Sequence, residues 1–224
     1  MGEAGVATLV FSSSATVYGQ PDDLPVTEDA ALRPHSVYGR TKRVVEDFLR
    51  DLAHANANWR IAILRYFNPA GAHSSGMLGE AARGRPNNLV PLLCKIAAGE
   101  IAEVAIYGGD WPTPDGTGIR DYLHVQDLAE GHVAALSYLA AAPGAITLNL
   151  GAGRGHSVLE VIAAFEASCG RRIAQKMSPR RPGDVACYYA DPTRAEATFG
   201  WRATRDLGTI CADAWRWQKN GGRY

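Results

Sequence analysis

Apolar and polar positions along the chain alternate between two periods, and the alternation predicts a βαβ beginning. Val6 to Ser12 is a short apolar run rich in β-branched residues, and it predicts a buried strand. A proline-rich acidic loop follows from Pro21 to Pro34. From Val37 to Ala55, the apolar positions Val37, Val44, Val45, Phe48, Leu49 and Leu52 recur at helical spacing with charges between them. Arg60 to Phe67 predicts the next strand, ending at Asn68-Pro69. Strand, helix and strand in this order imply a parallel sheet with helices on its faces.

The middle of the chain has less period. Gly71 to Asn88 is rich in glycine and charge and predicts a long loop, functional or mobile. Leu89 to Ala98 predicts a helix, Ala102 to Tyr107 a strand, and Gly108 to Gly118 a polar connection. His124 to Ala142 predicts a long helix and Ile146 to Leu150 a strand. Ser157 and Glu160 form a capping box before Val161, Ile162 and Phe165, and Gly170 stops that helix. A last helix is expected from Leu207 to Lys219.

Length and charge narrow the function classes. The 224 residues suffice for one or two domains with a large core. The formal net charge is +0, so electrostatics offer nucleic acid or an anionic membrane no attraction. No apolar run reaches the ~18 residues that span a bilayer. The N-terminus carries no secretory pattern, and the cytoplasm is the expected compartment. Cys94, Cys169, Cys187 and Cys211 are scattered without a paired spacing; they are expected to be buried thiols, and no metal site is expected.

Candidate chemistry sits near the first strand. Ser12-Ser13-Ser14 leaves its end, and Tyr38 and Lys42 stand one turn apart on the following helix. A free tyrosine, with a pKa of about 10, is a poor base; a neighbouring ammonium should favour its phenolate. Serine, tyrosine and lysine in this order suit proton transfer at a sugar or alcohol hydroxyl beside a nicotinamide. By spacing alone, the pair also fits an ordinary surface helix.

Longer phrases carry a resemblance. They are Phe11 to Gly19, Tyr38-x-x-x-Lys42, Leu64-Arg65-Tyr66-Phe67-Asn68-Pro69, Pro86-Asn87-Asn88-Leu89, Asp115 to Val125, Asn149-Leu150-Gly151-Ala152-Gly153 and Arg180-Arg181-Pro182-Gly183-Asp184. In this order the chain resembles the UDP-glucose 4-epimerases of the extended short-chain dehydrogenase superfamily. The resemblance implies an α/β fold: a partial doubly wound, Rossmann-type parallel sheet with a smaller mixed α/β substrate-binding subdomain. Residues 1–70 would be the later part of the NAD-binding domain. Residues 71–224 would be mainly the UDP-sugar subdomain, with 120–150 returning to the first sheet.

It also implies roles. Tyr38 would be the base, Ser14 its hydroxyl partner, and Lys42 the group that holds the nicotinamide ribose and lowers the tyrosine pKa. Ser12, Tyr66 and Pro69 would line the nicotinamide side. Arg120 and Arg181 would meet the diphosphate, Asp184 the uridine ribose, Asn68 and Asn88 the phosphates and sugar, and Leu89 and Tyr107 the uracil. Tyr188 would limit the sugar's 2-substituent, favouring UDP-glucose and UDP-galactose over N-acetyl forms. Relatives form homodimers through a four-helix bundle, of which Val37 to Ala55 would supply one helix.

Relatives of this kind open with a strand, a glycine turn and a helix that hold the cofactor pyrophosphate. The chain has no such early turn, and Gly151-Ala152-Gly153-Arg154-Gly155-His156 departs from the pattern at His156. The expectation is therefore a catalytic and substrate-binding part without its dinucleotide turn: a fragment, a chain with a mis-assigned start, or a degenerate gene. Such a part should expose an apolar sheet edge and be poorly soluble, and it would supply only half of the dimer interface. Two other functions compete. One is a UDP-sugar-binding remnant without turnover. The other is a dehydratase or reductase of the same superfamily, for which Ala15 and Thr16 stand where eliminating relatives carry Asp-Glu.

Overall fold

The computed structural model describes residues 1–81 and 84–222, which divide into two units. Unit 1 comprises Met1–Phe67, Asp127–Gly153 and Tyr188–Ala203. Unit 2 comprises Asn68–Gln126, Arg154–Cys187 and Thr204–Tyr224.

Unit 1 is built on a parallel three-stranded sheet. Its strands β1 (Thr8–Ser12), β2 (Arg60–Tyr66) and β6 (Gly144–Leu150) run in the order β1-β2-β6. The central β2 is buried from Ile61 through Arg65, which explains its near-continuous apolar reading. Helix α1 (Val37–Ala55) begins where the Ser36 hydroxyl accepts from the Gly39 amide at 2.9 Å. It buries Leu49 and Ala53 against Ile61 and Ile63. Most of helix α3 (Val125–Leu139) and the short α5 (Thr193–Phe199) also belong to this unit.

Unit 2 holds short pairings. β3 (Asn68–Ala70) runs parallel to β5 (Ile119–His124), and β7 (Gly155–Ser157) antiparallel to β5. β9 (Cys187–Tyr188) begins in this unit, where the Ile119 amide donates to Ala186 at 2.8 Å. β4 (Val104–Tyr107) pairs with β8 (Gln175–Ser178). Helices α2 (Leu89–Ala97), α4 (Val158–Cys169) and α6 (Leu207–Lys219) enclose the core with Leu93, Ile106, Phe165 and Trp215. The Ser157–Glu160 capping box forms, and Gly170 closes α4 with φ 68.

Several expectations are corrected. Unit 1 ends at Phe67 and resumes from Asp127 to Gly153, close to the expected division at 70 and return of 120–150, while β5 pairs within unit 2. Residues 188–203 rejoin unit 1 because Val26 donates to Tyr189 at 2.9 Å and accepts from Asp191 at 2.8 Å. The helix expected from His124 starts at Val125, with β5 ending at His124. Cys94 and Cys211 are buried, and burial pushes both thiols up to about 12; Cys169 and Cys187 are only half-buried. No described helix is long and apolar enough to cross a membrane.

Candidate active site

In unit 1, the serine turn and helix α1 meet residue by residue. The Ser13 amide donates to Leu64 at 2.9 Å, continuing the parallel ladder past the end of β1. Ser14 then caps a turn of 3-10 helix at Ala15–Val17. Its hydroxyl oxygen accepts from the Thr16 amide at 3.2 Å and from the Thr16 hydroxyl at 3.0 Å. With both acceptor positions used, its own O–H is left to donate.

Close approach of α1 depends on Gly39. A Cβ there would lie 2.6 Å from the Thr16 carbonyl oxygen, so any larger residue would push the helix from the turn. Tyr38, the residue before it, is 51% exposed. Its phenol pKa is raised by burial of the hydroxyl end and by Tyr66, while a hydrogen bond with Ser14 pulls it down.

Lys42 is held by main chain and by two ring faces. Its Nζ donates to the Ser12 carbonyl at 2.8 Å and sits 5.1 Å from the Phe11 ring centre and 5.5 Å from that of Tyr38. The Tyr38 phenol, expected to be lowered, stands above its ordinary value. The ammonium is anchored on main chain and ring faces, and partial burial decides the direction of the shift.

One turn further, Glu46 is fully buried. It accepts from the Ser13 hydroxyl at 2.5 Å, from Arg65 Nη2 at 2.6 Å and from Arg50 at 2.8 Å. Arg65 continues to the Tyr18 hydroxyl at 3.0 Å, and Tyr18 donates to Asn149 at 2.6 Å. Ser12, Ser13 and Ser14 are thus each engaged by a successive turn of α1, through Lys42, Glu46 and Tyr38. The Glu46–Arg65 pair was hidden in the sequence, because charges on a helix ordinarily mark its solvent face.

Ser12 has a second partner. His132 Nδ1 can only donate to the Leu128 carbonyl at 2.8 Å, so Nε2 of the neutral ring accepts the Ser12 hydroxyl at 3.0 Å. The Tyr66 ring lies 6.3 Å from that of His132. Tyr188 is buried in the same unit, its hydroxyl donating to the Ala15 carbonyl and its ring 5.1 Å from Phe67.

Unit 2 gathers the other expected residues around a cavity of about 260 Å³. β3 contributes Asn68, and the start of α2 contributes Asn88 and Leu89. Tyr107 ends β4, Arg120 lies on β5, and Arg181 and Asp184 follow β8. Pro69, expected on the nicotinamide side, is carried on β3 and lines this cavity. Asn88 makes no side-chain cap, so the first-turn amides of α2 are not satisfied by it. Arg181 bonds Asp184 at 3.0 Å and lies 4.6 Å from the Tyr107 ring centre. Burial weakens the hold of the Arg120 guanidinium on its proton, and Asp184 opposes that. Two guanidiniums, a helix N-terminus and an aromatic face in one cleft suit a nucleoside diphosphate. Trp111 and Tyr122 also line the cavity and were not read from the sequence.

Residues 1–151 match the model of the NAD dependent epimerase/dehydratase family. The chain belongs to that family. It is 53% identical over 223 residues to the UDP-glucose 4-epimerase of Neisseria meningitidis serogroup C, and 50% identical over 220 residues to that of Bacillus subtilis (strain 168). Each comparison covers 98% of this chain and 65% of the relative, so the chain spans about two thirds of the relatives' length. Among solved structures, this family member superposes with a TM-score of 0.96 on the UDP-glucose-4-epimerase of Stenotrophomonas maltophila with bound NAD and formylated UDP-arabinopyranose. That match has 52% identity and covers 98% of this chain and 66% of the other. The Bifidobacterium longum UDP-glucose 4-epimerase in complex with NAD+ and UDP gives a TM-score of 0.94 at 48% identity, covering 99% and 66%. The likeness extends over both units of the epimerase-family chain. Its Gly151–Gly153 segment leads into β7, a strand that the sequence reading did not name, rather than directly into a helix.

Proposed function

We propose that the chain carries the catalytic and nucleotide-binding residues for inverting the fourth carbon of a UDP-hexose, interconverting UDP-glucose and UDP-galactose. The observation that carries this reading is the gathering of Arg120, Arg181, Asp184 and Tyr107 about one cleft in a chain whose other unit carries the serine–tyrosine–lysine set. Crystallised relatives holding NAD with a UDP-sugar or with UDP support it.

In this reading, Arg120 and Arg181 neutralise the diphosphate, helped by the start of α2. Asp184 accepts from the ribose, Asn68 and Asn88 bond the phosphates and sugar, and Leu89 and Tyr107 flank the uracil. Tyr38 takes the proton of the sugar's 4-hydroxyl, and the Ser14 O–H donates to the oxygen that loses it. The side chains of unit 1 fit the nicotinamide end of NAD: one N–H of Lys42 meets Ser12, which leaves two for ribose hydroxyls. Ser12 and Tyr66 border the same place. When bound, NAD supplies a transient hydride acceptor for the fourth carbon.

Elimination is disfavoured by the serine turn. Ala15 is buried, and the Thr16 hydroxyl is committed to Ser14, so no carboxylate stands there. Tyr188, held by the Ala15 carbonyl, limits the sugar's 2-substituent. The relatives' homodimer would use α1, whose Val44 and Phe48 stand exposed.

The test is incubation of the chain with NAD and UDP-galactose, with products separated by chromatography. UDP-glucose is the expected product. A 4-keto-6-deoxy sugar would replace epimerisation with elimination, and UDP binding without product would assign a binding role alone.

A further inference from the structure

Trp111 stands out in the unit 2 cleft because of how it is held. It lines the cavity, whereas Arg180, against which it packs, does not. The Arg180 guanidinium lies 3.9 Å from the indole ring centre, bonded to the Asp110 carboxylate at 2.8 Å and the Asp110 carbonyl at 2.5 Å. One edge of the indole rests on Gly108, where a Cβ would lie 2.4 Å from Nε1 and 2.9 Å from Arg180 Cγ. Gly108 also has φ 80, so the position requires glycine on both counts.

The arm that carries Trp111 is itself tied down. Its amide donates to Gly116 at 2.9 Å, and its carbonyl accepts from Thr113 at 2.8 Å. Asp115 accepts from the Thr117 amide at 2.8 Å and from the hydroxyl of Ser157, the cap of α4. The neighbouring Tyr107 has the same construction, with Arg181 over its ring at 4.6 Å. Consecutive arginines thus bear on two aromatic residues of one strand and its following loop.

A guanidinium on one face of an indole draws on the negative charge of its π-system. The open side then suits a planar, electron-rich group in an anionic ligand better than a cation. A fixed aromatic side chain gives little to a phosphate but contributes contact area to a base.

We propose that Trp111 is a second aromatic wall at the nucleoside end of this cleft, contacting the base or its ribose, and that Arg180 is a positioning residue which fixes the indole there. The proposal rests on the reading of the cleft as a UDP site.

The experiment is calorimetric titration of the 224-residue chain with UDP, UMP and inorganic pyrophosphate, together with tryptophan fluorescence. Trp111→Ala should weaken UDP and UMP about tenfold and leave pyrophosphate unchanged. Trp111→Phe should stay within about threefold of the parent for UDP, yet lose the fluorescence change that UDP causes. Arg180→Gln should weaken UDP a few-fold and add nothing to Trp111→Ala, because it acts through the indole. If the parent binds no UDP, the nucleotide reading fails and the wall fails with it. If the parent binds UDP but Trp111→Ala binds it equally well, or loses pyrophosphate to the same degree, only the wall is overturned. If the alanine variant does not fold, unchanged UDP affinity in Arg180→Gln overturns the proposal.

Discussion

The Ser13 hydroxyl donates to the Glu46 carboxylate at 2.5 Å, which ties the end of β1 to the third turn of the helix that carries Tyr38 and Lys42. Glu46→Ala should cost ~3–5 kcal/mol of stability by leaving Arg65 buried without its counter-ion. Glu46→Gln should cost less, since the amide oxygen still accepts a bond. Urea unfolding followed by circular dichroism measures both.

The same carboxylate makes the fold acid-sensitive. Burial raises its proton affinity, but bonds from Arg65, Ser13 and Arg50 more than offset this, so its folded pKa is lowered. The unfolded chain then binds the proton more readily. The stabilisation is complete above the ordinary value of 4.5 and is lost as pH falls below it toward the folded pKa. A midpoint in urea that drops below pH 4.5 in the parent, but drops less in Glu46→Gln, is the expected outcome.

Alkali should act through Tyr18 and Tyr122, both pushed up to about 12, chiefly by burial. Each is neutral in the fold and would ionise near 10 when unfolded. Their contribution is full below pH 10 and is lost as pH climbs from 10 toward 12. Absorbance at the phenolate band should rise together with loss of helix signal; early ionisation without unfolding would contradict it.

Gly39→Ala places a methyl 2.6 Å from the Thr16 carbonyl oxygen. The main chain cannot yield as a flexible side chain would, so the start of α1 must move away from the serine turn. A loss of ~1–3 kcal/mol is expected. UDP affinity, which the proposed function assigns to unit 2, should be unchanged in calorimetry while turnover falls.

How much of this was legible in the sequence depended on whether the signal was local. The bounds of α1 and α6 and the capping box of Ser157 and Glu160 were read from nearby spacing, because caps and amphipathic faces are set within a few residues. β5 was missed since Arg120, Asp121 and His124 interrupt its pattern; a strand that lines a binding cleft carries polar residues where others carry valine. β3, β7, β8 and β9 are two to four residues long, too short to show a period. α5 follows Pro192 without a side-chain cap, so its start gave no signal. The expected cleft residues Asn68, Asn88, Leu89, Tyr107, Arg120, Arg181 and Asp184 were named from phrases of resemblance and do line one cavity. The anchoring of Lys42 on a carbonyl and the tautomer of His132 depend on contacts between distant segments, which no local pattern encodes.

Arg120→Lys should fail to restore what Arg120→Ala loses. A planar, partly buried guanidinium bonded to the Ile119 carbonyl at 2.8 Å presents donors that an ammonium cannot reproduce. Both variants should weaken UDP binding by about tenfold or more, measured by calorimetry at fixed salt.

Lys42 reaches the main chain of residue 12 rather than its side chain. A mutational scan of that position would therefore leave the tether of the ammonium intact and report only on the serine's link to His132. The tether is visible to such a survey from one side alone, at position 42, so a library that tolerates many residues at position 12 would say nothing about how much the helix relies on it.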